Sequence, residues 1–398
     1  MSKRQHFHGQ TTASSLILSA PQVHQQVSVL IDQHLGLEED GYSCDSQMLS
    51  DVLVKASVEQ ASIEETCNDL YAVSSGHTVR NHLNEQLPVE KLTEIECKVN
   101  TALQTDLPRW LWQHKLEMAI DEHDEPFYGR HADLLKYACR GKAKAGTTYF
   151  YRVATLYVVH NKVPTTVAIT FVCPEDTAVA VIKRLLKYAK GLGLRWDCLY
   201  LDKGFCSIPV MRYLQQMKYA ALIACPIRGK QGGTRALCRG RRSYKTEYTF
   251  ASQEYGEYAA AVTVVRALTS SGRSRRKRKK CWLLYVQINL DLSVQQVRDR
   301  YRARFGIEVS YRQMRTAHAK TTSRNAAVRF FLIALAFILV NVWAVLRWRF
   351  CQIPRRGGRQ LDKQRFSVRR MLRFLRRAIE GTYGTVDQIE ALAEPLSP

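Results

Sequence analysis

The sequence predicts an α/β protein with three parts: a core built on a mixed sheet, a β-rich insertion within it, and an all-helical segment in front. Two patterns and one imbalance predict this. From about residue 114, runs of β-branched and aromatic residues alternate with stretches whose apolar residues recur at helical spacing. Before residue 110 the spacing is helical alone. Charge divides the chain near the same point: residues 1–100 hold 6 Lys/Arg and 14 Asp/Glu, net −8, so with +23 overall the other 298 residues carry +31. A surface facing a polyanion is therefore expected after residue 100.

Composition narrows the class further. A 398-residue chain with 46% hydrophobic and 10% aromatic content can bury a large core and is no basic disordered tail. The 11 cysteines stand singly, without a CxxC pair or the Cys/His spacing of a structural zinc site, and fit reduced thiols in a cytoplasmic protein. No apolar run follows Met1-Ser2-Lys3-Arg4, so secretion is not expected.

Residues 1–110 are expected to form a helical N-terminal domain. Within it, Ser62 to Leu70, a short turn over Tyr71 to Ser75, and Thr78 to Leu83 resemble a helix-turn-helix with Gly76 to Asn84 as its recognition helix. An ordinary pair of packed helices in an acidic segment is the alternative. Pro88 and Pro108 bracket a linker.

Residues 111–225 read as the first part of the core. A first strand, Met118-Ala119-Ile120, leads into Asp121 at its end. Thr147 to Val159 and Thr165 to Cys173 follow as strands, joined by a hairpin turn at Asn161 to Pro164. Glu175 to Lys190 is helical, Cys198 to Leu201 is a short buried strand ending at Asp202, Ile208 to Met217 is a helix, and Ala220 to Ala224 a strand. Sheets of this kind place chemistry at strand ends.

Residues 226–290 are expected to be an inserted β-rich subdomain with strands near Tyr244 to Phe250, Tyr258 to Leu268 and Cys281 to Ile288. Its basic loop, containing Arg275, Arg276, Lys277 and Arg278, is either a DNA contact or a solvated charge run. Residues 291–346 resume the core. Phe330 to Leu346 is nearly all apolar, short for a membrane span, interrupted by Asn341 and without a second segment like it, so a buried core helix is expected. Residues 347–398 form a basic helical tail.

The chemistry rests on carboxylates. Divalent metal ions held by acidic side chains can activate a hydroxyl nucleophile and stabilise the leaving oxygen of an in-line phosphoryl transfer. Asp121 and Asp202 supply two such groups from neighbouring strands, with Glu122 and Asp124 beside Asp121 as alternatives. A third must come from a helix. Glu308 lies among basic side chains there, with Asp299 as its rival. If 293–315 is one helix, Tyr301, Arg304, Glu308 and Arg315 fall within an arc of about 60°. Such a face would join a carboxylate to two phosphate-binding guanidiniums and an aromatic ring. The alternative is a kink or break at Gly306, Ile307 and Val309, which would leave Glu308 near the first turn of a second helix. His123 reads as a bystander and Tyr301 alternatively as core packing.

The run Asp202-Lys203-Gly204-Phe205 and the spacing Tyr301-x2-Arg304-x3-Glu308-x6-Arg315 resemble DDE insertion-sequence transposases of the Tyr-Arg-Glu-Lys signature group, over roughly residues 114–345. The resemblance implies a ribonuclease H-like core that cuts transposon ends and joins them to target DNA. It also implies two Mg2+ ions, replaceable by Mn2+, on Asp121, Asp202 and Glu308. Arg304 and Arg315 would hold DNA phosphates, and Tyr301 would buttress the site or stack on a displaced base. Double-stranded DNA, including terminal inverted repeats, would be the partner of a cytoplasmic, nucleoid-associated homodimer without membrane attachment. Arg315 departs from the family's Lys, keeping charge but changing geometry. A related nuclease without strand transfer, and a non-catalytic DNA-binding protein, remain the alternatives.

Overall fold

The computed structural model describes residues 17–39, 44–129, 132–159, 165–270, 278–356, 358–362 and 364–389. The expected hairpin turn at 161–164, His131, and Arg275 to Lys277 lie outside them.

Five helices open the chain: α1 (Ala20–Leu35), α2 (Ser46–Glu59), α3 (Ile63–Asp69), α4 (Gly76–Gln86) and α5 (Leu92–Gln104). Side-chain caps start three of them, Asp45 on α2, Ser62 on α3 and Ser75 on α4, each accepting a backbone N–H from the first turn. After the short α6 (Trp110–Gln113) the periodicity changes to that of strands.

The strands are β1 (Leu116–Phe127), β2 (Cys139–Lys144), which follows the short α7 (Ala132–Leu135), β3 (Thr147–Val158) and β4 (Thr165–Val172). Then come α8 (Ala178–Gly191), β5 (Trp196–Leu201), α9 (Ile208–Gln216) and β6 (Ala221–Cys225). The segment expected as a separate insertion supplies β7 (Tyr244–Ser252), β8 (Gly256–Ser270) and β9 (Arg278–Ile288). These three do not stand apart. Strand β9 pairs antiparallel with β6, so all nine strands make one sheet of order β2-β3-β1-β5-β6-β9-β8-β7 with β4 also on β3. Strand β1 is antiparallel to β3 and parallel to β5, and β5 is parallel to β6.

Strand periodicity of two sorts the core onto two faces. Met118, Ile120, Leu156, Leu199 and Leu201 face α8 and α9. Ala119, Tyr151, Tyr157, Cys198 and Tyr200 face the remaining helices, among them α10 (Val294–Ala303), α11 (Phe305–Arg315) and α12 (Ala326–Phe350). Every residue of α12 from Ala326 to Arg347 is buried, as an all-round apolar helix requires in a core. Asn341, the polar interruption in this helix, exchanges bonds with both the N–H (3.1 Å) and the C=O (2.7 Å) of Thr166. The outer edge of β4 is closed in the same way from α5. Glu96, Asn100 and Gln104, spaced four apart, bond the backbone of Phe171, Ile169 and Val167 in place of a further strand.

The tail forms a short hairpin, β10 (Gln352–Arg355) with β11 (Gly358–Leu361), that the sequence reading missed. It is followed by α13 (Val368–Tyr383). Helix α13 buries Met371, Leu372, Leu375 and Ile379 against α1 and α2 and leaves Arg369, Arg370, Arg373 and Arg377 outside. The first and last helices of the chain therefore share one core with α12.

Candidate active site

Parallel pairing of β1 with β5 ends at Ile120 and Leu201. The next residue on each strand is an aspartate. Asp121 is not at the end of its strand, as expected, because β1 continues to Phe127 on β3 alone. It is nevertheless where β5 lets go, so Asp121 and Asp202 emerge side by side. Strand alternation removes the neighbouring acids: Glu122 and Asp124 turn to the other face and share Arg152, at 3.3 and 2.7 Å.

The segment 293–315 breaks at Arg304, which closes α10 and caps α11, so Glu308 falls in the first turn of the second helix. Tyr301, Arg304 and Glu308 still line one cavity, with the Arg304 guanidinium over the Tyr301 ring. Tyr301 and Arg304 turn inward, 6% and 5% exposed, while Glu308 and Arg315 remain on the surface. What the break achieves is a new convergence. The Arg304 guanidinium lies 3.3 Å from Asp121 Oδ2, 3.3 Å from Asp202 Oδ1 and 3.9 Å from Glu308 Oε1. Its Nε is buried without a hydrogen-bond partner among the described residues. Asp299, the rival acid, is exposed on α10 and accepts a bond from Gln295.

Two tyrosine hydroxyls fix the helices on either side of the break. Tyr301 donates to Leu201 C=O (3.1 Å), immediately before Asp202, and packs against Tyr285 and Tyr200. Tyr311 donates to Asp121 C=O (2.9 Å) and is within 2.8 Å of Thr155 Oγ1. Gly306 permits the approach of α11, since a Cβ there would stand 3.3 Å from the Tyr157 ring. His123 stacks on Tyr311 and faces Glu125, outside the carboxylate group.

Electrostatics sharpen the picture. Burial pushes Asp121 up to about 6, reinforced by Asp202 and Glu308 and opposed by Arg304. Burial works against the Arg304 charge, but Tyr301 and the three carboxylates carry it above its ordinary value. Three carboxylates and one guanidinium sum to −2, and all of the acidic ligands are oxygen, the donor set of a hard divalent cation. The site therefore fits such an ion.

Beside it opens a cavity of about 470 Å3, lined by Asp202, Lys203, Arg304 and Glu308 on one side and by Trp282 and Tyr285 of β9 on another. Lys203, Trp282 and Tyr311 were not singled out from sequence. Lys203 adjoins Asp202 and Tyr311 lies one turn past Glu308, so adjacency was the available signal. Nothing local marks Trp282. Arg315 is exposed in the last turn of α11, Arg278 begins β9, and Arg275, Arg276 and Lys277 lie outside the described residues.

No curated protein matches this chain significantly. Among solved structures, a piggyBac transposase in a synaptic complex with hairpin DNA is similar in fold, with a TM-score of 0.53 at 12% identity, covering 91% of this chain and 78% of that one. The model of the family described as "Transposase DDE domain" matches residues 112–342, from just before β1 into α12. The chain thus belongs to the DDE-domain transposases, metal-dependent enzymes that cut and transfer DNA strands.

Proposed function

We propose that this transposase cuts the ends of an insertion sequence and joins them to target DNA, with Asp121, Asp202 and Glu308 as its ligands for two Mg2+ ions, Mn2+ being able to substitute. The convergence of three sequence-distant carboxylates on Arg304 carries this reading. Bound metal would activate water or a 3′-hydroxyl and stabilise the departing oxygen. Asp121 and Asp202 offer carboxylates on the rigid sheet, and Glu308 adds its own from the first turn of α11. Arg304 keeps the trio together by charge before an ion arrives, a role drawn from its burial in place of the phosphate contact expected from sequence. Tyr301, buried and bonded to Leu201, buttresses Asp202 and has no free face for a base. Arg315, exposed beyond Glu308, remains the phosphate contact, and the basic segment Arg275, Arg276, Lys277 and Arg278 a further one.

The order β4-β3-β1-β5-β6, in which β3 alone runs antiparallel to the other four, supports a ribonuclease H-like core. The spacing from Tyr301 to Arg315 supports the Tyr-Arg-Glu-Lys group, with Arg in the last position. That the similar transposase was captured as a synaptic complex with hairpin DNA supports double-stranded DNA as the partner, and the resemblance in sequence extends this reading to a homodimer acting on terminal inverted repeats in the nucleoid-associated cytoplasm. The burial of α12 from Ala326 to Arg347 favours a core helix over a membrane span.

Glu308→Gln and Asp202→Asn, folded and DNA-bound, should lose at least about a thousandfold in Mg2+-dependent cleavage of end-containing DNA, roughly 4 kcal/mol of barrier. Cleavage at the unaltered rate would refute the assignment. Joining of a 3′-hydroxyl end to a second duplex by the unaltered protein separates a transposase from a simple nuclease.

A further inference from the structure

After α11 the chain runs in irregular form through 318–325 to the start of α12. Exposure alternates along it: Lys320, Thr322 and Arg324 point outward, while Thr321, Ser323 and Asn325 are half-buried. Three backbone bonds and one side-chain bond pin this stretch from four directions. Lys320 N–H donates to Ala61 C=O (2.9 Å), the Arg329 Nε to Ser323 C=O (2.6 Å), the Tyr151 hydroxyl to Arg324 C=O (2.7 Å), and the Asn325 amide to Leu87 C=O (2.8 Å). Among the described residues no ion pair engages the side chain of Lys320 or Arg324. Two free cations are thus held on a rigid frame.

They form one wall of a cleft of about 670 Å3. The opposite wall is α4, whose His77, Arg80, Asn81 and Asn84 share one helical face and look into the same space. Its acid, Glu64, is already paired with Arg80 at 2.8 Å. What remains is a set of guanidinium, ammonium, hydroxyl and amide groups, the inventory that contacts sugar-phosphate backbone. The α4 face that the sequence suggested for reading bases therefore shares its cleft with a wall carrying Lys320 and Arg324.

Position supplies the partner. Glu308 to Arg315 spans about 10 Å along α11, and the five residues from 316 to 320 add at most about 17 Å. The cleft thus begins within about 27 Å of the carboxylates, less than one turn of duplex at roughly 34 Å. Arg312 and Arg315 lie exposed on α11 between the two.

We infer that the cleft between α4 and residues 320–325 seats the backbone of the duplex being cut, within one helical turn of the cleaved bond, through Lys320 and Arg324. The inference rests on the proposed DNA-cleaving function but concerns binding alone. Its test is a Lys320→Ala/Arg324→Ala double variant, checked for an unchanged thermal midpoint and titrated across a salt series. The probe is a duplex carrying the element's terminal sequence, with Ca2+ present to block cleavage. Losing two phosphate contacts should weaken binding about tenfold or more and flatten the slope of log affinity against log salt by about 1.8. Lys320→Arg/Arg324→Lys should restore both. Equal affinity and slope in the Ala variant would overturn the inference. So would an undiminished difference on a duplex truncated too close to the cut to reach the cleft. Glu308→Gln should keep the full slope while losing cleavage, so a failure of the active-site reading is distinguishable from a failure of this one.

Discussion

Two places in this molecule gather three carboxylates around one buried cation, and they differ in how closely the acids approach. Around Lys55, fully buried on α2, stand Glu59, Asp69 and Glu380, with ligand oxygens all within 4.8 Å of one another. Glu59 lies 2.7 Å from the ammonium, and Arg376 adds a second cation at 3.0 Å from Glu59 and 2.7 Å from Glu380. Around Arg304 the contacts are 3.3 to 3.9 Å, and a cavity adjoins. The tighter group is also the more fully neutralised one. Its charges sum to −1 and its lone pairs are spent on cations that tie α2 to α3 and α13. The looser group sums to −2, and its oxygens keep lone pairs for a ligand. On the function proposed above, closeness of acids marks a structural clasp here, and an unsatisfied charge beside open space marks the chemistry.

The comparison breaks most visibly when acids are removed from each centre. Glu59→Gln/Asp69→Asn leaves Lys55 buried with one distant acid and should cost about 3 kcal/mol of stability in urea unfolding, with cleavage by the folded protein unchanged. A loss of cleavage equal to that of Glu308→Gln would erase the distinction between the two sites.

A smaller effect reads the charge at Asp121. Its carboxyl is raised from 3.8 to about 6, so the folded protein holds that proton more tightly than the unfolded chain. This contributes stability at low pH that is lost as pH climbs from about 4 through 6. Ion binding needs the ionised form. Mn2+ affinity measured by calorimetry should therefore rise about tenfold per pH unit below the bend near 6 and level off above it. Arg304→Gln removes the opposing charge and should move the bend to higher pH. A bend near 4 in the unaltered protein would contradict the burial of Asp121.

The smallest effect sharpens how α11 is held. Tyr311→Phe keeps the ring against His123 and Phe337 but loses the hydroxyl bond to Asp121. A cost of about 1 kcal/mol and a cleavage loss of about fivefold are expected. No change in either would mean that Tyr301 and packing alone set the helix.

The acids that gather around Arg304 were legible as candidates because their signals are local. An apolar run ending in Asp202-Lys203-Gly204 marks a strand end, and Glu308 stands out as an acid among arginines. Strand alternation would have singled out Asp121 from Glu122 and Asp124 once its partners were known. A break near Gly306, Ile307 and Val309, with Glu308 in the first turn of a second helix, was legible, but its place at Arg304 was not, since Ala303, Arg304 and Phe305 all tolerate helix interiors. Nor could the sequence show that β9 would pair with β6 and extend the main sheet, because antiparallel registry between segments over 50 residues apart is a tertiary property. Lys55 gave no sign either, as its three acids come from α2, α3 and α13.

The most direct test is the location of Mn2+ in crystals of the protein grown with DNA, found from its anomalous scattering. The account predicts density bounded by Asp121, Asp202 and Glu308, with Arg304 displaced or sharing the carboxylates. Density at Glu59, Asp69 and Glu380, with none beside Asp202, would contradict it.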